Sequence, residues 1–210
     1  MAKPLFPEGV PTRKRFFDLL LAIPGIILIS PFLAIIALLI RVQMGSPVIF
    51  RQSRPGLHGK LFSVFKFRTM IDAYDHQREP LPDEERLTGL GRFLRSFSID
   101  ELPELLNVLA GEMSLVGPRP LLTRYLERYS PEQARRHEVL PGMTGWAQVN
   151  GRNAITWEDK FRFDVWYVDN WSLRLDAKIL VLTLLTVIRR EGISQPGFST
   201  SEEFMGNKQE

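Results

Sequence analysis

Residues 19 to 40 hold no charged side chain, 22 consecutive positions in all. Wholly helical, they would reach about 33 Å, enough to cross the hydrocarbon core of a bilayer. The run is too long for a signal peptide, and no small-residue cleavage site follows it. Ser30-Pro31 interrupts it near the middle, a turn and a half after Pro24-Gly25. Pro31 cannot donate to the Ile27 carbonyl, and its ring presses on that carbonyl. A neighbouring Ser hydroxyl can bond a freed carbonyl, which makes a kink tolerable in lipid. Arg13-Lys14-Arg15 precede the run, and Arg41, Arg51 and Arg54 follow it. If basic residues stay on the cytoplasmic side, both flanks belong to one face. A re-entrant hairpin satisfies both flanks; a kinked single span satisfies one. The residues alone leave the two open.

Charge distribution supports a membrane surface. The 210 residues carry 27 Lys+Arg and 24 Asp+Glu, net +3. The first 60 positions hold eight basic and two acidic side chains, so +6 is concentrated there and −3 is left for the remainder. A basic first quarter beside an apolar run points to anionic headgroups rather than to nucleic acid. Hydrophobic residues make up 44% and charged residues 24%, which excludes a disordered chain and a multi-span protein. Cysteine is absent, so disulfide scaffolds, thiolate metal sites and thiol nucleophiles are excluded.

The remainder reads as one domain without repeats or dividing linkers. Val48-Ile49-Phe50 and residues 61–67 predict two short strands around the Pro55-Gly56 turn. Residues 72–87 read as a polar loop with helical character, and residues 98–109 as a helix stopped by Gly111. Ser130-Pro131-Glu132 opens another helix, with Ser at the N-cap and Pro at N1. Residues 156–170 read as an aromatic helix. Residues 173–188 are apolar but broken by Arg174, Asp176 and Lys178, which fits an interfacial helix or an amphipathic core helix. All four Trp lie between positions 146 and 171, a placement we read as leaning to the membrane interface. From Glu191 onward the composition predicts a surface tail.

The chemistry concentrates around Arg95-Ser96-Phe97-Ser98-Ile99-Asp100-Glu101-Leu102-Pro103. Pro103 is tolerated only in a first helical turn, so Asp100 and Glu101 sit at a helix N-terminus. The dipole and free amides there favour a negative charge, which should keep Asp100 ionised as a nucleophile or Mg²⁺ ligand must be. Ser98-x-x-Glu101 also matches a capping box, which needs no catalysis. Arg119 between Pro118 and Pro120 is a stiffly presented guanidinium suited to a diphosphate or simply solvated. Arg152, after Gly151, has the same two readings. Lys66 and Arg68 share a strand face and form either an anion clamp or a solvated edge. No dinucleotide loop, Walker loop or Asp-x-Asp metal pair is present, and His58, His76 and His137 lack metal-ligand spacing.

Taken in order, these motifs form a specific set. Lys66-Phe67-Arg68-Thr69-Met70 is followed by Asp100-Glu101-Leu102-Pro103, Asn107-Val108-Leu109 and Val116-Gly117-Pro118-Arg119-Pro120. Pro141-Gly142-Met143-Thr144-Gly145-Trp146 and Gln148-Val149-Asn150-Gly151-Arg152 complete it. From about residue 14 to 206 the chain resembles the bacterial sugar transferases, the monotopic phosphoglycosyl transferases. It is most similar to their short form, in particular to undecaprenyl-phosphate N,N′-diacetylbacillosamine-1-phosphate transferases.

The resemblance implies an α+β, mainly α fold in a single domain. Residues 14–41 would form a re-entrant membrane helix broken at Ser30-Pro31, residues 42–193 a cytoplasmic catalytic part, and residues 194–210 a tail. It implies transfer of a sugar-1-phosphate from a UDP-sugar to undecaprenyl phosphate at the bacterial cytoplasmic membrane, with UMP released. Asp100 would be the covalent nucleophile and a Mg²⁺ ligand, with Glu101 beside it. Lys66, Arg95, Arg119, Arg152 and Asp164 would bind substrate or phosphate. Anionic lipid headgroups are implied partners, nucleic acid is not, and a homodimer is compatible.

Overall fold

The computed structural model describes residues 5–75, 77–79, 81–151, 155–189 and 203–206. The long helix α1 (Thr12–Met44) is followed by strands β1 (Ile49–Pro55) and β2 (Leu61–Phe67). Next come the short α2 (Asp83–Arg86), α3 (Gly89–Ser96), a 3-10 turn (Ile99–Glu104) and α4 (Leu105–Leu109). Strand β3 (Ser114–Val116), α5 (Pro131–Ala134), β4 (Gly142–Thr144), α6 (Trp146–Val149), α7 (Trp157–Asn170) and α8 (Leu173–Arg189) complete the order. The architecture is α+β and mainly helical, as the sequence implies.

Helix α1 is continuous for 33 residues through Pro24 and Pro31, so the expected break at Ser30-Pro31 is not an interruption of helical structure. The Ser30 hydroxyl donates to the Ile27 carbonyl at 2.9 Å. That is the carbonyl deprived of its amide partner by Pro31. Only 11% of the most apolar 18-residue window of α1 is buried, and Ile27, Leu28, Ile35 and Leu38 are exposed. A core helix of a water-soluble domain would bury most of such a surface.

Both ends of α1 nevertheless dock on the same domain. Ala22 joins a core built from Phe62, Val64, Leu105, Val108, Met113, Val116, Tyr167 and Ile179. Ile36 and Ile40 pack with Phe67 and Leu94 in a second cluster. Lys14 and Arg15 do not face headgroups: both are buried, and Lys14 pairs with Asp176 at 2.8 Å. Arg13 alone of that basic trio is exposed, with its guanidinium over the Trp171 ring.

Strands β1 and β2 pair antiparallel, with Ile49 opposite Phe67 and Pro55 opposite Leu61. Alternation places Phe62, Val64 and Phe67 in the two cores and leaves Leu61 exposed. Strands β3 and β4 form a second, parallel pair that turn-rich sequence did not suggest. Gly142 makes this pair possible, because a Cβ there would collide with the Gly117 amide. Ser130 and Thr156 cap α5 and α7, Ser130 within a complete capping box. Helix α8 buries Asp176 and Ile179 while exposing Val181, Leu184 and Leu185, so it serves the core and presents an apolar outer face. Trp146 stacks on Trp166, and Trp171 donates to Asp176. Internal packing therefore explains most of the Trp cluster, and Trp166 is the exposed member.

The expected surface tail needs correction. Residues 190–202 lie outside the described residues, but Phe204 is buried against Tyr125, Tyr129, Trp157 and Phe161. Glu203 pairs with Arg124 and Arg128 beside it. A ring that fills an aromatic cluster ties this segment to the domain.

Candidate active site

The residues 99–109 run carries the carboxylates. Pro103 has no amide for the Ile99 carbonyl and crowds it, and the chain takes 3-10 geometry over Ile99–Glu104 before α4 begins. Ser98 adopts left-handed geometry (φ 55°) and its side chain caps nothing. The capping box that would have explained Ser98 and Glu101 without chemistry is therefore absent.

Glu101 instead turns to two cations. The Lys66 ammonium, from the end of β2, donates to it at 2.6 Å. Arg119 grips both its oxygens, one at 3.1 Å and the other closer. Lys66 also reaches Glu104 at 3.2 Å. Burial alone would raise the Glu101 carboxyl, but Arg119 and Lys66 outweigh it and hold it well below the usual range. Glu104 goes the other way: burial, then the Glu101 charge, push it up to about 7. Two carboxylates sharing one ammonium in a dry site divide into one ionised and one protonated member.

Asp100 stands apart. It is nearly buried, and among the described residues nothing donates to or ion-pairs with its carboxylate. Burial first and Glu101 second raise it, against the pull of Lys66, Arg95 and Arg119. The dipole argument for an easily ionised Asp100 thus gives way to desolvation and a neighbouring like charge. Arg95 lies near enough to act on Asp100 and is steadied by a bond to the Thr69 hydroxyl at 3.1 Å.

Arg119 is presented from the end of β3 by a rigid frame. Gly117 donates to the Thr144 carbonyl at 2.9 Å, and Gly142 donates to the Pro118 carbonyl at 3.0 Å. Arg136 adds a third tie, donating to the Arg119 carbonyl at 2.7 Å while pairing with Asp164 at 2.7 Å. Asp164 is thereby engaged in a buried ion pair and is linked to the site through Arg136 and the Arg119 backbone. Arg68 also leaves the site. It donates to the carbonyls of Met44, Ser46 and Met70 and pairs with Asp72. Arg152 and His76 lie outside the described residues.

The structure adds Glu104, Arg54, Lys160 and Arg136 to the group that sequence reasoning assembled. Arg54 donates to Gln52 at 2.6 Å, and burial followed by the nearby Arg119 lowers it to about 10. The Lys160 ammonium sits 4.0 Å from the centre of the Trp157 ring, and burial lowers its pKa. Neither cation has an ion-pair partner among the described residues, so positive charge beside Arg119 is in excess. Spacing held two usable signals: Glu104 follows Glu101 by three positions, and Lys160 precedes Asp164 by four.

Among the described residues no group of three or more His, Cys, Asp or Glu could cage a metal. The donor set does suit a Mg²⁺ that arrives with a diphosphate, since such ions take one or two carboxylates and complete their shell with phosphate and water. Asp100 is the unengaged carboxylate that would hold it.

Comparison with known proteins accounts for this constellation. Residues 10–190 match the family model described as bacterial sugar transferase. The chain belongs to that family. It is 58% identical to an uncharacterised sugar transferase, EpsL, of Bacillus subtilis, over 92% of this chain and 96% of EpsL. It is 42% identical to a UDP-glucose:undecaprenyl-phosphate glucose-1-phosphate transferase of Caulobacter vibrioides, over 88% of this chain and 73% of the relative. It is 41% identical to an undecaprenyl-phosphate galactose phosphotransferase of Salmonella typhimurium, over 85% of this chain and 41% of that longer protein. As a bacterial sugar transferase it carries the matched segment across the membrane helix, the carboxylate run and the Arg119 loop alike.

Proposed function

We propose that this bacterial sugar transferase moves a sugar-1-phosphate from a UDP-sugar to undecaprenyl phosphate. An Asp100 carboxylate oxygen attacks the sugar-bound phosphorus, and the bond from that phosphorus to the UMP oxygen breaks. A phosphate oxygen of the acceptor then attacks the same phosphorus and the Asp100–phosphorus bond breaks, giving the polyprenyl diphosphosugar and restoring the carboxylate. The observation that carries this reading is the contrast between neighbours: Glu101 is clamped by Lys66 and Arg119, whereas Asp100 is free of hydrogen bonds and ion pairs among the described residues. A nucleophile needs a free oxygen.

Glu101, held ionised, orients Arg119 and Lys66 where a donor diphosphate can compete for them. Arg95 neutralises charge near Asp100, and Arg54 and Lys160 offer unpaired charge to the leaving group. Mg²⁺, when bound, would neutralise the diphosphate beside Asp100. For the donor we propose an N-acetylated hexose of the N,N′-diacetylbacillosamine or GlcNAc/GalNAc type, as the short-form resemblance implies. The relatives named for glucose and galactose make those sugars its competitors.

The docking of α1 supports the proposed membrane placement. A domain confined to one side of a bilayer contacts α1 near Ala22 and again near Ile40, which favours a re-entrant helix over a span. Placing Asp100 on the cytoplasmic face of the bacterial inner membrane, at headgroup level, brings it to the acceptor phosphate.

Intact-mass measurement of detergent-purified protein with Mg²⁺ and a panel of UDP-sugars, without acceptor, tests the chemistry. The expected result is an adduct of one hexose phosphate that Asp100→Asn lacks. No adduct with any donor, and UDP rather than UMP released once polyprenyl phosphate is added, would overturn it in favour of direct glycosyl transfer.

A further inference from the structure

Arg15 lies on the first turn of α1 and is fully buried, yet its guanidinium meets no carboxylate within ion-pair distance among the described residues. Among the described residues all three of its hydrogen bonds go to main-chain carbonyls. Nε donates to Leu5 at 2.6 Å, Nη1 to Val108 at 2.5 Å and Nη2 to Leu109 at 2.8 Å. Val108 and Leu109 close α4, whose last carbonyls lack amide partners within the helix; the Val108 carbonyl also accepts from the Gly111 amide at 3.1 Å, and among the described residues the Leu109 carbonyl accepts from Arg15 without a backbone donor beside it. A cation there also complements the helix dipole. The run that ends at Leu109 is the one that begins with Asp100 and Glu101. The membrane helix therefore holds one end of the segment whose other end bears the proposed nucleophile.

The other attachments of that segment lead elsewhere. Asn107 accepts from the Phe65 amide at 3.1 Å and donates to the Ser63 carbonyl at 2.7 Å, and Lys66 holds Glu101 and Glu104. With Arg119 on Glu101, these fix the segment to β2 and the β3 loop, and leave its direct relation to α1 to apolar packing and Arg15. Lys14, one residue away, instead pairs with Asp176 in α8. Asp18 accepts from Ser114 and Leu115 in β3.

We propose that Arg15 is a positioning residue that sets the depth and angle of Asp100 relative to the membrane helix, and so to a lipid-borne phosphate. From Leu109 back to Asp100 the run is roughly 15 Å long. A tilt of about 4° of this segment, together with the strand it is fixed to, relative to α1 would move Asp100 by about 1 Å, a displacement that can cost on the order of 100-fold in rate. The soluble donor diffuses to Asp100 wherever the carboxylate sits, whereas the membrane-bound acceptor cannot follow it. Loss of Arg15 should thus fall on the second half-reaction.

The test compares wild type, Arg15→Met, Arg15→Lys and Lys14→Met, each full length. Donor-only adduct formation is timed in detergent, and acceptor-dependent turnover is measured in vesicles containing undecaprenyl phosphate. For Arg15→Met the expected result is a loss of about 10- to 100-fold in acceptor-dependent turnover, with the donor step within about 3-fold of wild type. Arg15→Lys, which can reach one of the α4 carbonyls, should fall between. Lys14→Met removes an equally buried contact of α1 and should leave the ratio of the two steps unchanged. Equal losses in both steps for Arg15→Met, or the same skew in Lys14→Met, would overturn the inference. Should Arg15→Met fail to fold, a wild-type ratio in Arg15→Lys overturns it. The inference rests on the proposed transferase reading, and a wild-type protein that forms no adduct would refute that reading separately.

Discussion

Replacing Glu104 with glutamine should flatten the pH dependence of stability between about pH 4.5 and pH 7. Glu104 is 2% exposed, so solvent does not screen it. Burial and the Glu101 charge raise its carboxyl from an ordinary 4.5 to about 7. A group that holds its proton more tightly when folded stabilises the fold fully at pH values below its unfolded pKa. That contribution is lost as pH rises through the folded pKa. At 1.36 kcal/mol per pH unit, the interval from 4.5 to about 7 corresponds to roughly 3 kcal/mol. Wild type should therefore lose up to roughly that much stability between about pH 4.5 and pH 7 through this residue. Glutamine keeps an oxygen for Lys66 and carries no charge at either pH. Denaturant titrations in mild detergent, followed by tryptophan fluorescence at the two pH values, give the comparison. Asp100 and Asp164 are also raised and contribute in the same direction, so the difference between wild type and variant isolates Glu104. Parallel stability profiles for the two proteins would refute the division of charge between Glu101 and Glu104.

Two further perturbations separate support from chemistry. Asp164→Asn leaves the buried Arg136 guanidinium without its counter-charge and should cost about 3–5 kcal/mol in unfolding free energy. Adding Arg136→Met to it should recover part of that stability but raise the donor KM, because the Arg119 carbonyl then loses its tie to Arg136. Phe204→Ala empties the space among Tyr125, Tyr129, Trp157 and Phe161 and should cost about 3–5 kcal/mol in the full chain. Phe204→Leu should cost less, and unchanged denaturation midpoints in both would mean that the segment is not anchored there.

What the sequence revealed depended on how local each cause was. The second strand, the Ser130 cap and the presence of a long apolar helix follow from patterns within a few residues and appear in the structure, whereas β1 extends to Pro55 and α1 runs unbroken over Thr12–Met44. The parallel pairing of β3 with β4 joins segments 28 positions apart through close contacts at Gly117 and Gly142, for which three-residue strands carry no periodic signal. Asp100 and Glu101 were visible as a pair, but not their opposite fates. Their separation needs Lys66 from β2 and Arg119 from the β3 loop at one carboxylate and not the other. Asp164 enters only through the family resemblance, as a residue that would bind substrate or phosphate. Only the fold reveals that Arg136 consumes it. Phe204 sits in a stretch whose composition reads as tail, and a single aromatic among polar residues gives no hint that a cluster awaits it.

The basic residues near the membrane show how a charge count and a structure can differ. The first 60 residues carry a net +6, which read as a headgroup-binding field. Lys14 and Arg15 are instead buried within the domain, and Arg54 lies beside Arg119. Arg68, just beyond that stretch, binds the Met44 carbonyl at the C-terminal end of α1, as Arg15 binds the end of α4. Guanidinium groups thus join main-chain carbonyls at both ends of the membrane helix, where a lysine would supply fewer donors and no planar fork. Arg13, Arg41, Arg51 and Lys60 remain exposed. If the proposed headgroup contact is made, the salt sensitivity of vesicle binding should track these four residues and be insensitive to Arg15 and Arg68, whose burial removes them from the headgroups and from mobile ions.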